Sequence, residues 1–291
     1  MSPSRRVDVL IVGAGPAGTA AAITLARAGV EALVIDKAEF PRDKTCGDGL
    51  TSSALRHLEG LGLEPDLVES WQSADTCWIR SPSGATTPFR MPTDRGSFIA
   101  VAKRVDLDMA LVELARKAGA EVADGHALVS ATEDSDGVTA EVSGIGEVRA
   151  KFAIGADGMY SPLRKHLGAG STESYLGEWH AFRQYFSNVG ELAAKDLYIS
   201  FEADLVPGYF WSFPLPGGGA NVGFGIQRTP STRTKEMKAL WTDLLTRPHI
   251  AELLGPDATA DEPHKAWPIP ARIDQVKSST RRTLFVGDAV A

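Results

Sequence analysis

The segment that most constrains this chain is Val7 to Asp36, which reads VDVLIVGAGPAGTAAAITLARAGVEALVID. An apolar run, Val9-Leu10-Ile11-Val12, stops at Gly13-Ala14-Gly15-Pro16-Ala17-Gly18. A small-residue helical stretch continues to Arg27, and a second apolar strand, Ala32 to Ile35, ends on Asp36. Strand, glycine loop, helix, strand and terminal acid in this order form the fingerprint of a dinucleotide-binding βαβ unit. Gly13 permits the tight turn out of the strand. Gly15 has no Cβ, so a pyrophosphate can approach the backbone, and Gly18 lets the helix lie close on the sheet. The free N–H groups and positive end of the helix face the phosphates. Asp36 is placed to accept hydrogen bonds from a ribose diol. A glycine pattern alone also fits a plain structural turn; the flanking elements are what favour the dinucleotide.

At 291 residues the chain is long enough for one large or two intertwined domains. Its 43% hydrophobic and 23% charged content is that of a soluble globular protein. A net charge of −7 argues against a general nucleic-acid binder, which would show a basic face. Two cysteines, Cys46 and Cys77, are too few for a disulfide framework, and a reducing compartment, the cytoplasm, is expected. Arg5 and Arg6 before an apolar run imitate a signal peptide, but Asp8 interrupts it and the glycine loop accounts for it better. No apolar run is long enough to span a bilayer, so any membrane contact is expected to be peripheral.

Helices are expected at about Ser52 to Leu61, Val105 to Ala118 and Thr234 to Thr246. In the second, Leu107, Ala110, Leu111, Leu114 and Ala115 share one face, and Asp106 and Asp108 suit the positive end of the dipole. Thr76 to Ser81 and Ser97 to Ala102 read as strands. Turns at Asp136-Gly137 and Gly144-Ile145-Gly146 mark the meander of a small sheet. Phe152 to Gly155 reads as a buried strand, and Thr283 to Val286 as a final one. From Tyr175 to Gln227 the chain is aromatic and alternating, without βαβ rhythm. The expected fold is α/β: a Rossmann-like, mostly parallel domain interrupted by an antiparallel-sheet substrate domain. The first would take residues 1–75, 103–170 and 281–291, and the second 76–102 and 171–280.

The glycine loop cannot choose between NAD and FAD. Two more acid-glycine corners at strand ends, Asp157-Gly158 and Gly287-Asp288, suit a large cofactor with a ribityl chain and a second ring system. Arg104 stands where it would meet phosphate or ribityl oxygens. Each also has an ordinary reading, as a turn or a solvated helix start. The six histidines show no ligand spacing, so no metal is expected. There is no Gly-x-Ser-x-Gly elbow and no second dinucleotide fingerprint; Gly217-Gly218-Gly219 has no helix after it.

These features together resemble the FAD-dependent oxidoreductases of the p-hydroxybenzoate hydroxylase-type fold, and within them the geranylgeranyl reductase family. Two motifs narrow the resemblance. Phe40-Pro41-Arg42-Asp43-Lys44-Thr45-Cys46-Gly47-Asp48-Gly49-Leu50 is similar to the family's FPR-x-K-x-CG-x-G loop. Pro207-Gly208-Tyr209-Phe210-Trp211-Ser212-Phe213-Pro214, followed by Asn221-Val222-Gly223, is similar to its aromatic strand motif. The resemblance implies Gly13, Gly15, Ala17, Gly18 and Asp36 on the ADP half of FAD. It implies Arg104, Asp157 and Gly158 around the pyrophosphate and ribityl and Asp288 on the ribityl hydroxyls, with Pro16, Lys37, Arg42, Leu128 and Gly287 also binding the cofactor. Lys44, Cys46, Gly47 and Gly49 would pass beside the isoalloxazine.

Glycines at 47 and 49 leave room for close approach at that loop. The Cys46 thiol is either a weak catalytic acid or a small packed group. Tyr209, Trp211 and Phe213, at period two, line either the sheet core or a substrate cavity. Cys77 reads as core. The implied reaction is hydride transfer from reduced FAD to a carbon–carbon double bond of an isoprenoid chain, with NADPH or ferredoxin as transient reductant. A flavin monooxygenase or halogenase on the same fold, and a non-catalytic flavin- or lipid-binding protein, are the rivals. The family continues past the position of Ala291, so the chain is expected to be a fragment that binds FAD poorly alone.

Overall fold

The computed structural model describes residues 5–92, 94, 96–170, 177–229, 234–271, 273–274 and 276–290. Tyr175, where the aromatic stretch was expected to begin, and Ala291 lie outside the described residues. The first strand, Arg5–Val12, pairs in parallel with Ala32–Asp36 on one side and Gly146–Gly155 on the other. Glu121–Asp124 extends the sheet in parallel beyond Ala32–Asp36, and Thr283–Phe285 runs parallel along Gly146–Gly155. These strands therefore end at one edge, where ligand crevices of such sheets lie. The helices Pro16–Arg27 and Arg104–Lys117 cover one face, burying Ile11, Val34, Ala22, Ile23, Val112 and Ala115 in a common core. The opposite face buries Leu10, Leu33, Ile35, Leu163 and Phe285.

The glycine turn is set by backbone contact. Gly13 sits at φ +105°, and a Cβ there would lie 2.3 Å from the Ala156 carbonyl oxygen. A Cβ on Gly18 would lie 1.8 Å from the Gly13 carbonyl oxygen. No side chain longer than hydrogen fits at Gly13 unless the Ala156–Asp157 backbone moves, or at Gly18 unless the helix moves off the turn.

The meander expected in a small sheet is part of the main one. Gly146–Gly155 is ten residues long. Its first half pairs antiparallel with Val138–Val142, which in turn pairs with Leu128–Glu133, while Ala153 to Gly155 pair with the Thr283–Phe285 strand. One long strand thus carries two neighbours along the same edge. Phe152, expected in a buried strand, is 48% exposed, with the Arg282 guanidinium over its ring. The strand expected over Ser97 to Ala102 shortens to Ala100–Val101, held between Gly49–Leu50 and Gln72–Ser73.

The second sheet is antiparallel apart from one parallel pair, Leu197–Ser200 with Thr76–Arg80. Its centre is Trp179–Ser187, Gly219–Gln227 and Tyr209–Leu215, with Lys265–Ile269 on the outer side of Trp179–Ser187. Alternation splits its residues between two faces. Phe182, Phe210, Val222 and Phe224 point into a core closed by Met237, Trp241 and Leu244 of Thr234–Thr246 and by Ile250 and Leu253 of Pro248–Leu254. Phe182 and Phe224 stack at 5.3 Å, and Phe224 and Trp241 at 6.0 Å. The other face carries three cross-strand rows: Trp267, Ala181, Gly225 and Tyr209; Lys265, Arg183, Gly223 and Trp211; Tyr185, Asn221 and Phe213. Among the described residues, no helix is long and apolar enough to cross a membrane.

Gly18→Ala should lower the unfolding free energy by about 2–4 kcal/mol, because backbone rather than a flexible side chain must yield. Gly60→Ala, at the end of the Ser52–Gly60 helix with nothing within 4 Å of the new Cβ, should be neutral or stabilising by up to about 1 kcal/mol. Urea titration of both variants checks the contrast.

Candidate functional site

A cavity of about 1520 Å³ lies between the carboxyl edge of the first sheet and the three-row face of the second. That is larger than the roughly 300–1,000 Å³ of an ordinary small-molecule pocket, enough for a dinucleotide and a second ligand. Its wall includes Gly13, Gly15, Pro16, Ala17, Asp36, Lys37, Arg42, Lys44, Cys46, Gly47, Gly49, Arg104, Leu128, Asp157, Gly158, Gly287 and Asp288, together with Tyr209, Trp211 and Phe213. Gly18 is not part of that wall; it lies beneath the turn, against Gly13 and Ala156.

At one end the first helix is preceded by Gly15, which offers no side-chain cap to the helix N–H groups. A Cβ on Gly15 would meet only the guanidiniums of Arg42 and Arg104, at 3.6 and 3.8 Å. Both are held by one carboxylate. Arg104 donates from Nε and Nη2 to the two oxygens of Asp108 at 2.7 and 2.8 Å, and Arg42 Nη1 donates to Oδ2 at 2.7 Å. Asp108, read from the sequence as an acid suited to the positive end of the helix dipole, is fully buried. The i,i+4 spacing on the helix brings it beneath Arg104. Burial opposes the charge on Arg104, but the Asp108 carboxylate and the neighbouring Cys46 thiol hold its pKa above the ordinary value. Two cations on one buried anion leave a net positive charge beside the helix N-terminus, where a phosphate is stabilised.

Asp36 accepts from the Ala14 N–H at 2.8 Å with Oδ2 and from the Ala38 N–H at 2.9 Å with Oδ1. Each oxygen keeps a lone pair, so the fixed carboxylate fits a ribose diol. Asp157 accepts from the Leu163 N–H at 3.0 Å with Oδ2, while its buried Oδ1 has no partner in the protein. Burial raises its pKa. An orphaned acceptor beside the glycine turn fits a sugar or ribityl hydroxyl. Asp288 is exposed in the short turn Gly287–Ala289. These donors, acceptors and the side-chain-free cradle fit FAD.

Lys44 lies with Nζ 3.4 Å from the centre of the Trp267 ring. Burial and the Arg104 charge push its pKa down to about 8. The room that Gly47 and Gly49 open is taken by the second sheet: a Cβ on Gly47 would lie 3.4 Å from the Trp211 ring, and one on Gly49 2.9 Å from that of Phe213. Tyr209, Trp211 and Phe213 form a ladder with centroids 6.1 and 6.2 Å apart. Tyr209 is 39% exposed at its outer end.

Four further polar residues complete the site: Asp48, Arg183, Tyr185 and Asn221. The only trace of Asp48 in the sequence is an acid between two glycines, and Asn221 merely opens the Asn221-Val222-Gly223 run. Arg183, fully buried, donates twice from Nη2 to Asp43, at 2.9 and 2.7 Å, and bonds Glu262 through Nη1. Its guanidinium lies 3.9 Å from the Tyr185 ring centre. Asp48 Oδ2 accepts from Tyr185 Oη at 2.7 Å and from Asn221 Nδ2 at 2.8 Å. Burial outweighs those hydrogen bonds and pushes the Asp48 pKa up from 3.8 to about 6.

The fold and this cavity define a dinucleotide-binding flavoprotein. The FAD binding domain family matches residues 6–290. A menaquinone reductase from Mycolicibacterium smegmatis is 37% identical over 77% of this chain and 56% of its own length. A digeranylgeranylglycerophospholipid reductase from Methanosarcina acetivorans is 32% identical over 97% of this chain and 68% of its own. Among solved structures, a geranylgeranyl bacteriochlorophyll reductase-like protein from Thermoplasma acidophilum superposes with a TM-score of 0.82 at 24% identity, covering 99% of this chain and 72% of that one. The halogenase PltM in complex with phloroglucinol and FAD gives 0.75 at 22%, covering 97% and 64%, a likeness of fold alone. The chain belongs to the FAD binding domain family and, within it, to the geranylgeranyl reductase family of FAD-dependent oxidoreductases. It spans 56 to 62% of the length of the mycobacterial relatives.

Asp48 binds its proton more tightly folded than unfolded. Its contribution to stability is therefore fully present below pH 4, falls as pH rises towards about 6, and is lost above that. Asp48→Asn, which keeps the shape without the charge, should gain stability over the unsubstituted protein across that window, by up to about 3 kcal/mol at pH 7.5. Thermal unfolding at pH 4.5 and 7.5 (about 4 to 8 being the relevant range) checks this; an equal effect at both values would contradict it.

Proposed function

We propose that this chain binds FAD along the cavity and acts as a reductase that saturates carbon–carbon double bonds of an isoprenoid chain. The juxtaposition that carries the reading is the Cys46 loop, continuing from the dinucleotide unit, facing the Tyr209–Trp211–Phe213 ladder in the same cavity. Gly13, Gly15, Pro16 and Ala17, with Arg42 and Arg104, hold the pyrophosphate. Asp36 and Lys37 hold the adenosine ribose, and Asp157, Gly158, Gly287 and Asp288 hold the remaining hydroxyls, with Leu128 packing alongside. Lys44, Cys46, Gly47 and Gly49 border the reacting end. Reduced FAD supplies the hydride.

The protein supplies three things. The aromatic ladder binds an apolar chain and excludes water. The loop fixes where that chain lies. Cys46 holds on Sγ the proton for the second carbon, and the charge left behind faces the Arg104 and Lys44 cations, which both interact with that thiol. The substrate class is supported by relatives named menaquinone reductase and digeranylgeranylglycerophospholipid reductase. The reductant is NADPH or ferredoxin.

The test is anaerobic incubation of the FAD-loaded, dithionite-reduced protein with prenyl quinones and geranylgeranyl lipids, followed by mass spectrometry. The expected product has gained H₂ per reduced double bond, with matching flavin reoxidation. Trp211→Ala should lower kcat/KM by about tenfold to a hundredfold. A product formed only with oxygen, hydroxylated or halogenated, would assign the site to a monooxygenase or halogenase, and no turnover of any prenyl acceptor would leave a binding protein.

A further inference from the structure

One buried side-chain amide joins the two walls of the cavity. Asn221 is fully buried on the cavity face of Gly219–Gln227. Its Nδ2 donates to the Cys46 carbonyl oxygen at 2.9 Å and to Asp48 Oδ2 at 2.8 Å. Its Oδ1 accepts from Trp211 Nε1 at 3.0 Å. Both amide hydrogens and the acceptor are used, which fixes the amide's orientation.

Asp48 is the second half of this joint. It is 2% exposed, at φ +62°, a conformation uncommon outside glycine and tolerated by Asp and Asn. Its backbone carbonyl accepts from the Ala102 N–H at 3.1 Å, and its side chain takes Tyr185 as well as Asn221. The charged groups around it are Arg183 and Lys103, over the Tyr185 ring at 3.9 and 5.0 Å, with Asp43 on Arg183 and Arg104 across the loop. Asp48 Oδ1 is buried without a partner. A well-packed apolar pair would fill this space without burying a charge. What the polar pair adds is a direct tie between loop and ladder.

We propose that Asn221 and Asp48 are positioning residues, which fix the Cys46 backbone and the Trp211 ring relative to one another through a single buried amide. The tie acts on this chain's own residues and stands whether or not the substrate is an isoprenoid.

The experiment is alkylation of the FAD-loaded protein by N-ethylmaleimide, with the rate at each cysteine read by peptide mass spectrometry. Cys46 is half-buried at the cavity, while Cys77 is buried among Val101, Leu197 and Leu215 and reports general opening of the fold. Asn221→Leu should raise the Cys46 rate by about tenfold with Cys77 still protected, the factor expected from loss of charge-assisted hydrogen bonds. Asp48→Asn, which retains a bonding side chain, should raise it by less, about threefold. Cys46 rates within about twofold of the unsubstituted protein in both variants, with Cys77 protected, would overturn the proposal. If Asn221→Leu exposes Cys77 too, Tyr185→Phe decides: it removes one hydroxyl from Asp48, and a faster Cys46 at protected Cys77 supports the tie, while an unchanged rate overturns it. Prenyl turnover in the same samples is a separate readout, whose failure would count against the proposed reaction and not against the tie.

Discussion

The closeness of the first helix to the first strand fixes the anion-binding end of this site. A Cβ on Gly18 would come within 1.8 Å of the Gly13 carbonyl, so only hydrogen at that position lets the helix begin where it does. Its N-terminus then opens directly onto the cavity, with Asp36 fixed on the Ala14 and Ala38 N–H groups beside it. Positive charge is brought to the same point by a second constraint. Asp108, buried one helical turn beyond Arg104, orients both guanidiniums and offsets one of their charges. The result is an anion site assembled from backbone, dipole and one shared carboxylate, with little left to side-chain freedom.

The other half of the cavity depends on strand alternation. On the second sheet, one set of residues closes a core with the two C-terminal helices, and the other set presents rings, glycines and a few buried polar groups to the Cys46 loop. Glycines on both sides make the contact close: Gly223 admits the Trp211 ring from within the sheet, and Gly47 and Gly49 admit the rings from the loop. The loop is tied to this sheet at Asp43, through Arg183 and Lys265, and at Asp48, through Tyr185 and Asn221. A buried carboxylate with a raised pKa is a cost to stability. Its bond to Asn221, which in turn bonds the Cys46 carbonyl and the Trp211 ring, puts that cost where geometry matters most.

Much of this was legible in the sequence because the informative residues are punctuated by glycine. The glycine loop, the acid at Asp36, the corners at Asp157 and Gly287, and the Cys46 loop all carry local marks, and the structure brings them around one cavity. The period-two spacing of Tyr209, Trp211 and Phe213 placed them on one face, as the register confirms. What the sequence hid depends on long-range pairing. Asp108 looks like an ordinary helix-start acid until Arg42 arrives from another loop. Arg183 and Tyr185 have no local pattern, and their role appears only when Trp179–Ser187 lies beside Gly219–Gln227. The meander expected from the Asp136-Gly137 and Gly144-Ile145-Gly146 turns is there, but its sheet is the large one, for the same reason: hairpin turns mark neighbours but not the sheet they join.

In the reaction we propose, the aromatic face opposite the Cys46 loop binds an apolar chain. The most direct test is photolysis of a diazirine-bearing prenyl chain in the FAD-loaded protein, with the crosslinked peptide mapped by mass spectrometry. Crosslinks on the strand carrying Tyr209, Trp211 and Phe213, displaced by excess unlabelled prenyl lipid, are the predicted result. Saturable crosslinks found only outside the cavity, with that strand unlabelled, would contradict it.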